Sequence, residues 1–160
     1  MSQNPGVQEK LFQSLPEHFE HADDPAMNVE SLAKVKYLDM VINESLRCYT
    51  PVLRVDRICT ADTVVNGLKI PKGVGVIVPV NAVCHDPDYW PEPDKFDPER
   101  FSDSSNYDAD AFIPFGAGNR NCIGMRLAQN ELRIALAKLV LKFKFSLAPE
   151  TLKEVWPFFI

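Results

Sequence analysis

Proline placement divides this chain into regions that can fold in different ways. Most of its 13 prolines lie between Pro51 and Pro114. Because proline fixes φ and lacks a backbone N–H, it interrupts helices and central strands. The middle of the chain is therefore restricted to turns, short strands and irregular loops, and long helices can form only before and after it.

The region before these prolines has the apolar spacing of a helix. Asn28 or Ser31 can cap its start, and the helix must end near Thr50 because Pro51 follows. We therefore predict one helix over 29–46, with apolar side chains at Leu32, Val35, Leu38, Val41, Ile42 and Leu46.

The remaining segments predict a small sheet, a meander and a second long helix. Residues 52–59 and 74–80 are β-prone, and 64–67 offers a tight hairpin turn between them. Residues 84–111 are rich in Pro and Asp and have no period, which indicates an ordered irregular meander. Helical spacing returns over 125–143. The predicted fold class is mainly α with a small antiparallel β-sheet.

Composition excludes several classes of protein. A chain of 160 residues that is 46% hydrophobic and carries a formal net charge of -5 fits one globular unit and argues against nucleic acid as a partner. Its four cysteines form no CxxC pair, so neither a disulfide framework nor a zinc ribbon is indicated. It contains no apolar run long enough to cross a bilayer and no signal peptide, which predicts a soluble chain in a reducing compartment.

The string PFGAGNRNCIGMR, directly before the second long helix, carries the most specific chemistry. It delivers Cys122 to a helix N-terminus, where the partial positive charge favours the thiolate that a metal ligand requires. Its glycines, Gly116, Gly118 and Gly124, permit tight turns and close approach of a flat partner. Arg120 is a fixed cation suited to a carboxylate. A single thiolate suits haem iron better than zinc, which takes four protein ligands.

This string resembles the FxxGxRxCxG haem-binding signature of the cytochrome P-450 family, the haem-thiolate monooxygenases. All five fixed positions are present, from Phe115 to Gly124, and Asn119 stands where the family most often has proline. Chance would produce these residues at these spacings on the order of once in ten million positions. The alternative is a buried structural cysteine in a turn. The resemblance implies haem b, with its iron held by Cys122, a carboxylate-binding Arg120 and close contacts at Phe115 and the three glycines.

Two further motifs agree with this resemblance. Glu44 and Arg47 lie three residues apart on the predicted helix, where a solvated surface pair would be the ordinary interpretation. The spacing resembles the ExxR motif of the family, and residues 98–101 resemble its PERF element. By resemblance, Arg100 joins Glu44 and Arg47 in a buried network that pins the meander beneath the haem.

The strand arginines and one histidine give weaker evidence for a functional site. Arg54 and Arg57 would face opposite sides of a strand, so at most one points into a site. Arg57 is the better positional match to an arginine that, in the family, contacts a haem propionate, and an exposed strand arginine is the alternative. His85 is expected to be a loop residue and not an iron ligand.

The resemblance implies the C-terminal third of the family's fold, incomplete in this chain. Residues 1–28 resemble the end of the preceding helices, 29–145 form the haem-proximal region, and 146–160 are a divergent tail. The segments YLDMVINESLR and RVDR are similar in sequence to those of the microsomal group, which includes drug- and steroid-oxidising members and thromboxane synthase.

The implied function is the haem- and iron-binding portion of a monooxygenase that inserts one oxygen atom of O2 into an apolar organic substrate. Electrons would come from an NADPH-dependent reductase, and a full-length parent would reside at the endoplasmic reticulum membrane, whereas this chain, with no anchor, is expected to be cytoplasmic. No catalytic residue is assigned, because the distal helix is missing. The alternatives are a non-catalytic fragment that binds haem poorly and a cysteine-based redox or zinc protein. Arg126, Arg133 and Lys138 could form a cationic patch for a reductase, or could simply be solvated.

Overall fold

The computed structural model describes residues 1–16, 19 and 27–151. Most of the predicted tail, from residue 152 onward, lies outside the described residues. The helices are α1 (Pro5–Ser14), α2 (Val29–Leu32), α3 (Lys36–Cys48), α4 (Val80–Cys84) and α5 (Met125–Lys142), and the strands are β1 (Val55–Ile58), β2 (Thr63–Val65), β3 (Leu68–Ile70) and β4 (Gly75–Val78). The predicted fold class, mainly α with a small antiparallel β component, is confirmed. Within the described part of the chain, no helix is long and apolar enough to cross a membrane.

The prediction of one continuous helix over 29–46 is wrong, because the chain forms two helices there. The Asn28 side chain accepts hydrogen bonds from the backbone N–H groups of Glu30 and Ser31, and the Ser31 hydroxyl accepts one from Asn28, so a capping box starts α2. The backbone then leaves helical geometry at Val35, with φ -83° and ψ 86°. Leu32, Val35 and Leu38 are all buried. A three-residue spacing suits a turn between two helices as well as one helix, so apolar spacing alone could not reveal the break.

The predicted sheet consists of two separate antiparallel pairs. β1 pairs with β4 in a register that places Arg57 opposite Val76, and β2 pairs with β3. The predicted hairpin turn is confirmed at Asn66 and Gly67, whose positive φ values of 49° and 83° suit a two-residue hairpin turn. The predicted strand over 74–80 is shorter than expected, because α4 begins at Val80. Both pairs have largely exposed side chains.

Aspartates organise the predicted meander into three 3-10 turns. Asp97, Asp103 and Asp108 each precede a turn and accept a hydrogen bond from the backbone N–H two residues later. Short carboxylates favour this capping geometry, which explains the Asp-rich composition of the segment. The meander surrounds a small aromatic core in which Trp90 contacts the rings of Phe101, Tyr107 and Phe112.

The larger core is formed by α1, α2, α3 and α5. Its fully buried side chains include Leu11 of α1, Leu32 of α2, Val41 of α3 and Ala137 of α5. Gln8 of α1 is also buried: its side-chain amide donates to the carbonyl of Phe145 at 3.1 Å and accepts from the N–H of Phe145 at 2.7 Å. This amide therefore ties α1 to the chain that follows α5.

Candidate functional site

An ion pair with no solvent exposure lies on one face of α3. Glu44 and Arg47 are both 0% exposed. The Nε of Arg47 donates to Oε2 of Glu44 at 2.8 Å, and Nη2 donates to Oε1 at 2.9 Å. Their three-residue spacing places both groups on the same side of the helix, so this bidentate pair is built from one turn of α3. A solvated surface pair is the wrong description of these residues.

Arg47 also fixes the meander through backbone carbonyls. Its Nη1 donates to the carbonyl of Cys84 at 2.9 Å, and Nη2 donates to that of Pro93 at 2.7 Å. The guanidinium carbon lies 5.4 Å from the centroid of the Trp90 ring, within cation–π range. Burial lowers the pKa of Arg47, but the hydrogen bond and charge of Glu44 outweigh this and raise the pKa overall. The guanidinium therefore remains charged while buried.

Arg100 is the third member of this group. Its Nε lies 3.5 Å from Oε1 of Glu44, and its Nη2 donates to the carbonyl of Glu92 at 2.8 Å. The same Glu44 oxygen accepts the backbone N–H of Asp97 at 2.8 Å. The structure thus brings Glu44, Arg47 and Arg100 together, and two guanidinium groups share one carboxylate, which leaves the buried network net positive. We name these three residues the buried network.

The loop that carries Cys122 is shaped by two left-handed glycines. Gly116 and Gly118 have φ values of 73° and 70°, a region that other residues rarely adopt. The backbone N–H of Cys122 donates to the carbonyl of Phe115 at 2.8 Å, which closes the loop. Gly124 is the N-cap of α5, and a Cβ there would lie 4.0 Å from the Cys122 sulfur. The loop therefore presents Cys122 at the start of an 18-residue helix.

The four cysteines differ in exposure. Burial raises the pKa of the Cys48 thiol to about 12 and also raises the pKa of Cys84. Both groups remain thiols near neutral pH, which makes them poor metal ligands. Cys59 is half-buried, and its sulfur lies 2.9 Å from the carbonyl of Ala61. Cys122 is the exposed one. Among the described residues, no group of three His, Cys, Asp or Glu side chains could hold a metal ion.

The other candidate residues lie at the surface. Arg120 is exposed on the cysteine loop. Arg57 is exposed on β1, and its Nη1 donates to the carbonyl of Asp56 at 2.8 Å. His85 ends α4 and has its Nδ1 2.9 Å from the carbonyl of Asn81. The described contacts of Arg57 and Arg120 include none with Cys122, so the structure does not bring these two arginines to the sulfur.

The surroundings of Cys122 suit a flat, largely apolar cofactor. Ile123 and Leu127, on either side of the helix start, expose their apolar side chains, and Gly124 adds no bulk between them. Arg120 supplies an exposed cation for a carboxylate. A haem-thiolate site combines a cysteine ligand, an apolar face and a cation near the propionates, so the residues present fit such a site. A separate cleft of 250 Å³ lies where α1 meets the end of α5, at Phe12, Val140 and Phe143.

Several contributors to the buried network could not be found in the sequence. The carbonyls of Cys84 and Pro93 and the N–H of Asp97 act through the backbone, which leaves no residue-type signal. No site role was predicted for Trp90, whose ring lies against the Arg47 guanidinium. Trp90 stands in the string PDYWPEP, and a tryptophan in a proline-rich polar meander is a signal that could have found this contact.

Comparison with known proteins identifies the family. The cytochrome P450 family model matches residues 1–157. Over 153 residues, the chain is 42% identical to cytochrome P450 3A17 of Cavia porcellus, 40% identical to cytochrome P450 3A16 of Mus musculus and 40% identical to cytochrome P450 3A7 of Homo sapiens. Each alignment covers 94% of this chain and 30% of the relative. The predicted resemblance is confirmed: the chain belongs to the cytochrome P450 family.

Proposed function

We propose that this chain is the haem- and iron-binding portion of a monooxygenase, in which Cys122 would hold the iron. The observation that carries the proposal is the exposed Cys122 on a loop closed by the Phe115 carbonyl at the start of α5. The exposed sulfur lies beside the start of α5, where an iron ion can reach it, and metal ions bind cysteine through the sulfur as a thiolate. When bound, haem supplies the chemistry that activates dioxygen.

The residues of the chain have distinct roles in this proposal. Cys122 would hold the iron and could donate electron density to it, and Gly116, Gly118 and Gly124 would let the backbone come close to a bound macrocycle. Arg120 pairs with a propionate, and Arg57 is a second candidate for that pairing. The buried network of Glu44, Arg47 and Arg100 holds the meander in place and does not contact the reacting atoms.

The activity of a whole parent protein rests on the family. Insertion of one oxygen atom of O2 into an apolar organic substrate, electrons from an NADPH-dependent reductase and residence at the endoplasmic reticulum membrane are proposed for the parent. The chain spans 30% of the length of its relatives, and no catalytic residue on the oxygen-binding side is assigned in it.

A non-catalytic product is the second candidate. Cys122 is exposed, and both strand pairs expose apolar side chains such as Ile58 and Leu68. A haem bound at an open surface loses the burial that gives small-molecule sites their affinity. We therefore expect the isolated chain to bind haem weakly and to lack turnover.

Reconstitution with haem tests both candidates. The purified chain is compared with a chimera in which it replaces the matching 153 residues of cytochrome P450 3A17 of Cavia porcellus. Each is reduced under carbon monoxide and examined for the red-shifted Soret band of thiolate-ligated iron. We expect a band in the chimera and little or none with the chain alone.

Two cysteine variants of the chimera identify the ligand. Cys122→Ser should abolish the band, whereas Cys59→Ser, which removes a half-buried thiol elsewhere, should retain it. A band that survives Cys122→Ser would refute the proposed ligand. Stable, tight haem binding by the isolated chain would refute the second candidate.

A further inference from the structure

Arg133 of α5 makes a bidentate ion pair with Asp39 in the first turn of α3. Its Nε donates to Oδ1 of Asp39 at 2.6 Å, and Nη2 donates to Oδ2 at 3.0 Å. Its Nη1 donates to Oδ1 of Asn130 at 2.9 Å, so all three nitrogens are engaged. The side chains of Arg133 and Asp39 are 17% and 33% exposed. A planar guanidinium that is half-buried and bonded through all three of its nitrogens is held in a defined orientation, so this contact restrains direction as well as distance.

The pair lies at the point where α5 meets the larger core. The α5 side chains that pack on that core begin at Ile134, and the fully buried ones are Ala137 and Val140, in the second half of the helix. Between Met125 and Arg133 the described side chains are exposed or half-buried. The half of α5 next to Cys122 therefore has little apolar anchoring, and the Arg133 pair is a specific contact at its boundary.

The two helices that the pair joins carry the two parts of the candidate site. α3 carries Glu44 and Arg47, and the chain that precedes α5 carries Cys122. Because a helix of 18 residues moves nearly as a rigid rod, a tilt of α5 about its buried end would displace the cysteine loop most. We propose that the Asp39–Arg133 pair is a positioning pair that holds the Cys122 loop in a fixed place relative to the buried network.

Because of this role, Arg133 is not available to the cationic patch that was considered as a binding surface for a reductase. A guanidinium that is bonded to an aspartate and an asparagine on its own molecule has its charge neutralised and its donors in use. Arg126, by contrast, is exposed on α5. The expected effect on haem binding rests on the proposed function, whereas the expected effect on the position of the Cys122 loop does not.

Hydrogen exchange of the complete 160-residue chain without haem tests the pair. The variants are Asp39→Asn, Arg133→Gln and the double variant, measured well below the unfolding temperature. The reporters are the amides of Cys122, bonded to Phe115, and Ala128, bonded to Gly124. We expect each single variant to speed their exchange roughly fivefold, as loss of a half-buried charged pair should. The double variant should be no faster than the faster single variant, because both remove one interaction.

Lys10→Gln is the matched control. It breaks a pair of equal length, Lys10 to Glu99 at 2.6 Å, that joins α1 to the meander and does not involve α5. Exchange at Cys122 and Ala128 should stay within twofold of wild type in this variant. A merely stabilising contact would speed exchange equally in α1 and α5. Uniform acceleration, additive single effects or unchanged loop amides would each overturn the proposal.

A haem measurement separates this proposal from the proposed function. In the chimera described above, Asp39→Asn should lower the fraction of bound haem that shows the thiolate band, and Lys10→Gln should not. If the wild-type chimera forms no thiolate band, the proposed function fails, and the exchange result still decides the positioning role.

Discussion

At Glu44, one fully buried carboxylate faces two guanidinium groups, of which Arg47 is 0% and Arg100 is 12% exposed. Such a site is stable only while every charge has a partner, because a buried ion left alone keeps its full desolvation cost. Arg47 meets this condition with bonds to Glu44 and to the carbonyls of Cys84 and Pro93. The network therefore links α3, the end of α4 and the meander through one side chain.

Replacement of Glu44 by Gln should strongly destabilise the protein. The amide cannot balance Arg47 and Arg100, so we expect the free energy of unfolding to fall by about 3–5 kcal/mol in chemical denaturation. Glu92→Gln is the control, because the side-chain pair of Glu92 with Lys95 is 3.9 Å long and exposed; it should change stability by less than about 0.5 kcal/mol. Equal losses in the free energy of unfolding for the two variants would contradict the conclusion that Glu44 belongs to a buried ion pair.

The sequence indicated some of these residue contacts and could not indicate others. The Glu44–Arg47 spacing pointed to a pair on one helix face, but an exposed pair has the same spacing. Burial was implied only by the family resemblance. The Asp39–Arg133 contact joins residues 94 positions apart, and no local pattern predicts which acid such an arginine will meet.

At the scale of elements, α5 and the hairpin turn followed local signals closely, whereas α4 and the division between α2 and α3 were not predicted. α5 begins at Met125 as its apolar spacing predicts, and the Asn66–Gly67 turn forms where its residues favour positive φ. The division between α2 and α3 was missed. Its signal was present in Asn28 and Ser31, whose capping box starts a helix of only four residues, but a cap marks where a helix starts and not how far it runs.

Replacement of Asn28 by Ala should measure what that cap contributes to α2. The variant leaves the N–H groups of Glu30 and Ser31 without their acceptor, so we expect a loss of about 1 kcal/mol in the free energy of unfolding. Asn4→Ala is the matched control, since Asn4 occupies the N-cap of α1 without a side-chain capping bond. A loss at Asn4 as large as that at Asn28 would show that the capping bonds are not the cause.

At the scale of the whole molecule, the two strand pairs keep largely exposed side chains within the part of the chain that the structure describes. The β-prone Val and Ile residues predicted strands correctly, and apolar strands usually bury one face. Here Ile58, Leu68 and Ile77 are largely exposed. Residue type predicts a strand but does not indicate whether its apolar side chains are covered, so this exposure could not be predicted from the sequence.

Polar substitutions on these faces should change dye binding and light scattering more than the free energy of unfolding. In the triple variant Ile58→Thr, Leu68→Thr, Ile77→Thr, we expect weaker fluorescence of a hydrophobic dye and less light scattering. The free energy of unfolding should change by less than about 0.5 kcal/mol per site, because threonine suits strands and little apolar area was buried.

Leu11→Ala is the opposite control, since this side chain is fully buried. It should lower the free energy of unfolding by about 2–5 kcal/mol without reducing dye binding. Unchanged dye fluorescence in the triple variant would mean that the strand faces are not the apolar surface that the dye detects.

The Gln8 amide gives the molecule a mechanical weak point. Its two hydrogen bonds to Phe145 close a span of 137 residues. A force applied between α1 and the segment after α5 would load these two bonds in parallel before it reached the interior of either helix. Under tension, we therefore expect these two bonds to break first. α1 should then separate from the core while the buried network is still intact.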